Sequence, residues 1–141
     1  MQRVLLDSSI YIAALRGENA ALRIEGITAG TVLWLSAVVL EELYAGAGAR
    51  DRDHVERLER DFGKAGKILV PDLNDWSQAG QVLARLAIKY GYETIRRGRL
   101  TNDALIAMSA ARMGIRVITA NEKDFRKLAE FSRFTWQLAS L

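Results

Sequence analysis

The chain has 141 residues and a formal net charge of +3, which suits one domain with a real core and is short for two. It has no cysteine and a single histidine, His54. Disulfides, thiolate–metal sites and multi-histidine sites are therefore excluded. No apolar run reaches the roughly 20 residues that span a bilayer, and the opening MQRVLLDSS meets an acid too early for a secretory leader. A cytoplasmic protein with no membrane contact is expected, and the mild positive charge weakly favours an anionic partner such as nucleic acid.

Arg3 to Asp7, RVLLD, reads as a short buried strand. Ser8 to Gly17 predicts a helix capped by Ser8 or Ser9 and stopped at Gly17, and Asn19 to Thr28 continues helically. Thr31 to Ser36, TVLWLS, is a second strand. A helix begins at Ser36 and frays at Gly46 and Gly48. Val55, Leu58 and Phe62 recur at helical spacing, so Asp51 to Phe62 is amphipathic; His54 belongs to its solvated, charged face. KILVP gives a third short strand. Asn74 to Tyr90 predicts a helix with Trp76, Ala79, Val82, Leu83 and Leu86 on one side. YETIRRGRL reads as a polar connection. TNDALIAMSAARMG is a helix stopped by Gly114, IRVITA a fourth strand, NEKDFRKLAEF another helix and RFTWQL an edge strand. Tyr11, Trp34, Tyr44, Trp76, Phe125 and Trp136 read as core or interface residues. Short apolar strands alternating with helices predict an α/β fold of three layers, α/β/α, around a parallel sheet of four to five strands. No linker or repeat divides residues 1–141, so one domain is expected.

Acids recur where such a sheet would gather ligands, at the carboxyl ends of its strands. Asp7 ends the first strand. Ser36 ends the second and leads into VVLEELYAG, which carries Glu41 and Glu42. Asp103 opens the helix before the fourth strand, and Asn121 and Asp124 follow that strand. Each has a local explanation too: Asp7 can cap a helix, Asp103 can sit in a first turn, and Asn121 with Asp124 resembles a capping pair. At about 100° per residue, Glu42 falls between Val38 and Val39 on the apolar side, whereas Glu41 falls toward solvent. Asp103 shares its face with Ile106, Ala107 and Ala110. A carboxylate on a core-facing stripe needs compensation, from a cation or from an arginine such as Arg3, Arg96, Arg97 or Arg99. Periodicity does not choose between them.

These residues resemble the PIN-domain nucleases, and among them the VapC-type toxins of bacterial and archaeal toxin–antitoxin pairs. VLLDSSIYI is similar to the family's opening strand, acid and Ser/Thr–Ser/Asn pair. SAVVLEELYAG resembles its serine, apolar turn, Glu-Leu and closing glycine. NDALIAMSAARMGIRVITANEKDF resembles its Asp-Ala-Leu-Ile-Ala helix, strand and Thr-x-Asn-x-x-Asp-Phe ending. The blocks occur in the family's order across almost the whole chain; from about Gly48 to Arg99 only helical character and length match. The resemblance implies a PIN-like fold and a four-acid site of Asp7, Glu42, Asp103 and a fourth position. Many relatives carry an aspartate where this chain has Asn121, so the fourth position lies between Asn121 and Asp124, and Asp124, three residues on, is the acid favoured for it.

The resemblance further implies a Mg²⁺- or Mn²⁺-dependent endoribonuclease. Asp7, Glu42, Asp103 and Asp124 would be both catalytic and metal-ligating. Ser9, Thr119 and Asn121 would support them by hydrogen bonds, and Arg96, Arg97 and Arg99 would hold RNA phosphates. It implies a VapB-like antitoxin as partner, and a homodimer. Ile10, Ile12, Leu15, Leu40 and Tyr44 would suit a dimer face, an antitoxin groove or a core. Three rival readings are a PIN endonuclease of RNA maturation or decay without an antitoxin, a phosphotransfer domain, and a non-catalytic binding module. The second fits poorly, because Ser8-Ser9 follow Asp7 where haloacid-dehalogenase-like phosphatases need Asp-x-Asp.

Overall fold

A computed structural model describes residues 1–17, 20–97 and 100–139. Five strands form one sheet: β1 (Arg3–Leu6), β2 (Val32–Ser36), β3 (Ile68–Leu69), β4 (Arg116–Thr119) and β5 (Trp136–Leu138). The order across it is β3-β2-β1-β4-β5, and every pairing is parallel. In register, Leu5 lies opposite Trp34 on one side and Val117 on the other. Val4, Leu5 and Leu6 are buried, as are Val117 and Ile118, as expected of a central strand covered on both faces. RFTWQL does form the outer strand beyond β4.

The helices among the described residues are α1 (Ser8–Arg16), α2 (Ala20–Thr28), α3 (Ala37–Gly46), α4 (Arg52–Lys64), α5 (Leu73–Tyr90), α6 (Tyr92–Arg97), α7 (Leu100–Met113) and α8 (Glu122–Ala129). Helix and strand boundaries fall within two residues of those expected from the sequence, except that β5 starts three residues later, at Trp136, and there is one difference in kind. The stretch YETIRRGRL is more than a polar connection: its first six residues form α6. Glu93 in the first turn, where a negative charge favours a helix, supplies the local reason. Gly114 ends α7 with φ +65°. That conformation suits glycine and lets Ile115 N–H reach back to the Ala110 carbonyl at 2.9 Å, aiming the chain into β4.

The core stripe of α5 is Asp75, Ala79, Val82 and Leu86, with Leu83 half-buried. Trp76 does not join it: it is 56% exposed. Asp75 takes the inner position at that end of the helix, and its neighbour is rotated out by about 100°. The carboxylate is compensated by Arg112, whose Nε donates to Asp75 Oδ2 at 2.9 Å. Asp75 also closes a capping box with Asp72 at the start of α5. Tyr11 and Phe125 are in the core as expected; Ile10 is buried, while Ile12, Leu15, Leu40 and Tyr44 are half-buried.

One core residue is imperfectly satisfied. The Tyr11 hydroxyl is buried with no hydrogen-bond partner among the described residues, and burial pushes its pKa upward. An unmade bond of this kind costs about 1–3 kcal/mol. Tyr11→Phe keeps the ring and removes the hydroxyl, so it is expected to raise stability by about 1 kcal/mol. Urea denaturation tests this, and a loss of stability would show that the hydroxyl is solvated.

Candidate active site

The chain runs from β1 outward to β2 and β3, then returns to lay β4 on the other side of β1. Such a reversal opens a crevice at the carboxyl ends of the two central strands. Asp7 stands at that point. Its N–H continues the sheet by donating to the Ile118 carbonyl at 3.0 Å, and its side chain caps α1 by accepting from Ser9 N–H at 2.8 Å. The capping reading and the crevice reading thus hold together.

Two short relays end on the Asp7 carboxylate. Ala120 N–H donates to Ser9 Oγ at 3.2 Å, and Ser9 Oγ donates to Asp7 Oδ1. Asn121 N–H donates to Thr119 Oγ1 at 2.9 Å, and Thr119 Oγ1 donates to Asp7 Oδ2. Both carboxylate oxygens are therefore fixed by hydroxyls whose own lone pairs are engaged by the turn after β4. This offsets the cost of holding a carboxylate that is only 3% exposed. The sequence placed Ser9 and Thr119 as supports, but the part played by Ala120 N–H carries no side-chain signature and was not legible.

Asn121 is the N-cap of α8. Its Oδ1 accepts from Asp124 N–H at 3.4 Å, while its Nδ2 donates to Asp124 Oδ2 at 2.9 Å. Asp124 is half-buried. The amide at position 121 thus grips the carboxylate three residues on, a contact that a second aspartate would make repulsive.

Asp103 lies in the first turn of α7 and is 4% exposed. Glu42 is half-buried on α3, and Glu41 is exposed, as the helical wheel required. Helix α3 packs on both α1 and α7. Glu42 also opens onto a groove of about 300 Å³ between α1, α3 and α4, where Ile12, Leu15, Leu43 and Val55 form an apolar floor and Arg16 and Asp51 add charge. Arg96 and Arg97 end α6, but their side chains, like the whole of Arg99, lie outside the described residues.

In donor type, these carboxylates and hydroxyls fit a hard divalent cation. In position, hydrogen bonds tie Asp7 to Ser9 and Thr119 and tie Asp124 to Asn121. Among the described residues, no three carboxylate or imidazole groups lie close enough to share one ion. No helix among them is long and apolar enough to cross a membrane.

No curated protein matches the chain in sequence. Solved structures are similar in fold. A chain of the DNA-bound VapBC complex from Salmonella typhimurium is 22% identical, with a TM-score of 0.67 and 98% of each chain covered. A chain of VapBC2 from Rickettsia felis, bound to a promoter DNA fragment, is 18% identical, with a TM-score of 0.68 over 99% of this chain and 100% of that one. A chain of VapBC-5, of the VapBC toxin–antitoxin family, from Mycobacterium tuberculosis is 24% identical, with a TM-score of 0.57 and full coverage of both. The family model described as "PIN domain" matches residues 4–131, spanning β1, α3, α7 and the turn after β4. The chain therefore belongs to the PIN domain family.

Proposed function

We propose that this protein is a VapC-type toxin, an endoribonuclease that hydrolyses RNA phosphodiesters with Mg²⁺ or Mn²⁺ and is restrained by a VapB-like antitoxin. The observation that carries the reading is Asp7, a buried carboxylate at the switch point of a PIN fold with both oxygens held in place. The similarity to chains of VapBC complexes supports the toxin assignment over other PIN nucleases.

In this reading Asp7 would be the central ligand; Asp103 and Asp124 would have to draw closer to it than they stand here to share one ion, and Glu42 would serve a second ion or a water. When bound, the cation would activate water and offset charge on the phosphate. The chain's own residues set the stage. Ser9 and Thr119 prevent Asp7 from rotating, and Asn121 fixes Asp124. Arg96, Arg97 and Arg99, whose side chains lie outside the described residues, would hold RNA phosphates. The apolar groove beside Glu42 receives the antitoxin's tail, which places the inhibitor against an acid of the site. The toxin works as a cytoplasmic homodimer.

Purified protein incubated with total RNA is expected to give discrete bands with Mg²⁺ or Mn²⁺ and none with EDTA. Bands that persist in EDTA would remove the metal-dependent mechanism. Intact RNA, together with no Mn²⁺ binding by calorimetry, would leave a non-catalytic module of the same fold.

A further inference from the structure

A cavity lies apart from the acids, between α5, α7 and the segment that follows α8. Its volume is about 630 Å³, within the range of small-ligand sites. Three guanidiniums line it, from Arg85, Arg112 and Arg133, against two carboxylates, Asp75 and Glu130.

Neither carboxylate is left to neutralise the outer arginines. Asp75 is consumed by Arg112. Glu130 accepts from the Tyr90 hydroxyl at 2.7 Å and from Lys89 Nζ at 3.0 Å, contacts that hold its carboxyl below its ordinary pKa. Arg85 and Arg133 are exposed and have no carboxylate partner among the described residues. The cavity therefore presents unspent positive charge. Phe131, half-buried in the same wall, adds an aromatic surface, and bases stack on such surfaces whatever their identity.

We infer that this cavity seats one nucleotide unit of the RNA strand, with Arg85 and Arg133 on its phosphates and Phe131 against its base. The inference rests on the ribonuclease reading above and adds a contact remote from cleavage. Arg112 follows Asp103 by nine residues on the same helix, about 13 Å along its axis, so a strand of a few nucleotides reaches both places. A free nucleotide has the same chemistry as the strand; the strand is favoured because the cavity is open to solvent and its Arg85 and Arg133 are exposed.

The test is binding, not cleavage. A fluorescein-labelled twelve-nucleotide RNA is titrated in EDTA by anisotropy across a salt series. The proteins compared are wild type, Arg85→Ala/Arg133→Ala, and Arg52→Ala/Arg60→Ala, which removes the same charge from exposed positions on α4. Each single-strand phosphate contact contributes about 0.7 to the slope of log K against log salt. Loss of two should weaken binding several-fold and reduce the slope by about 1.4 in the cavity variant, with the α4 variant unchanged. Equal slopes in all three proteins, or the same drop in both variants, would overturn the inference while leaving the nuclease reading intact. If 5′-AMP binds wild type but not the cavity variant, and RNA binds both alike, a free nucleotide is the occupant and the strand assignment falls. If wild type binds no RNA at any salt concentration, the ribonuclease reading itself fails.

Discussion

Asp7→Asn is expected to reduce metal-dependent RNA cleavage by about a thousandfold, on the order of 4 kcal/mol of transition-state stabilisation. The size of the effect follows from what the substitution keeps. Asparagine retains an oxygen to accept Ser9 N–H, so α1 keeps its cap at little cost. What is lost is the negative charge and one of the two oxygens fixed by the hydroxyl relays. The amide would face Thr119 Oγ1, which can turn to accept rather than donate. Urea denaturation should therefore show a stability change of no more than about 1 kcal/mol, separating loss of chemistry from loss of fold. Cleavage within threefold of wild type would remove Asp7 from the centre of the mechanism.

Arg112→Ala should be the most damaging of the substitutions away from the acids. Asp75 is 1% exposed, and Arg112 is the cation that compensates it. Arg112 also reaches Asp72 Oδ2 at 3.2 Å and the Val70 carbonyl at 3.2 Å. One side chain thus ties the end of α7 to the start of α5. Removing one partner of a buried pair typically costs about 3–5 kcal/mol. Because Arg112 itself is one-third exposed, about 3 kcal/mol is expected, near 10 °C in Tm for a chain of this size. Asp75→Asn in the same background should recover part of the loss, because it removes the stranded charge. A Tm within 2 °C of wild type for Arg112→Ala would mean that water already screens Asp75.

The fold was legible because its strands are short apolar runs separated by capped helices, a pattern with few alternatives. Wherever a single turn of helix had to be oriented, the outcome depended on the neighbours. Glu42 over Glu41 could be read from the wheel, since Val38, Val39 and Leu43 define one dominant face. Trp76 over Asp75 could not. Hydrophobicity points the tryptophan inward, and only Arg112, 37 residues later, makes the aspartate the better buried residue. The helix at Tyr92–Arg97 was missed because its sequence has little apolar periodicity. At the site, chemistry on side chains was visible and chemistry on the backbone was not: Ser9, Thr119 and Asn121 announced themselves, whereas Ala120 contributes only an N–H.

The central place of β1 has a consequence for synthesis. The hydroxyl that fixes the second oxygen of Asp7 is made 112 residues after Asp7 itself. At about 5–20 residues per second, on the order of ten seconds of translation separates the two. Until β4 docks, Asp7 has only its local partner Ser9, and the crevice has one wall. A nascent chain that has not yet placed β4 therefore holds the Asp7 carboxylate through one oxygen only.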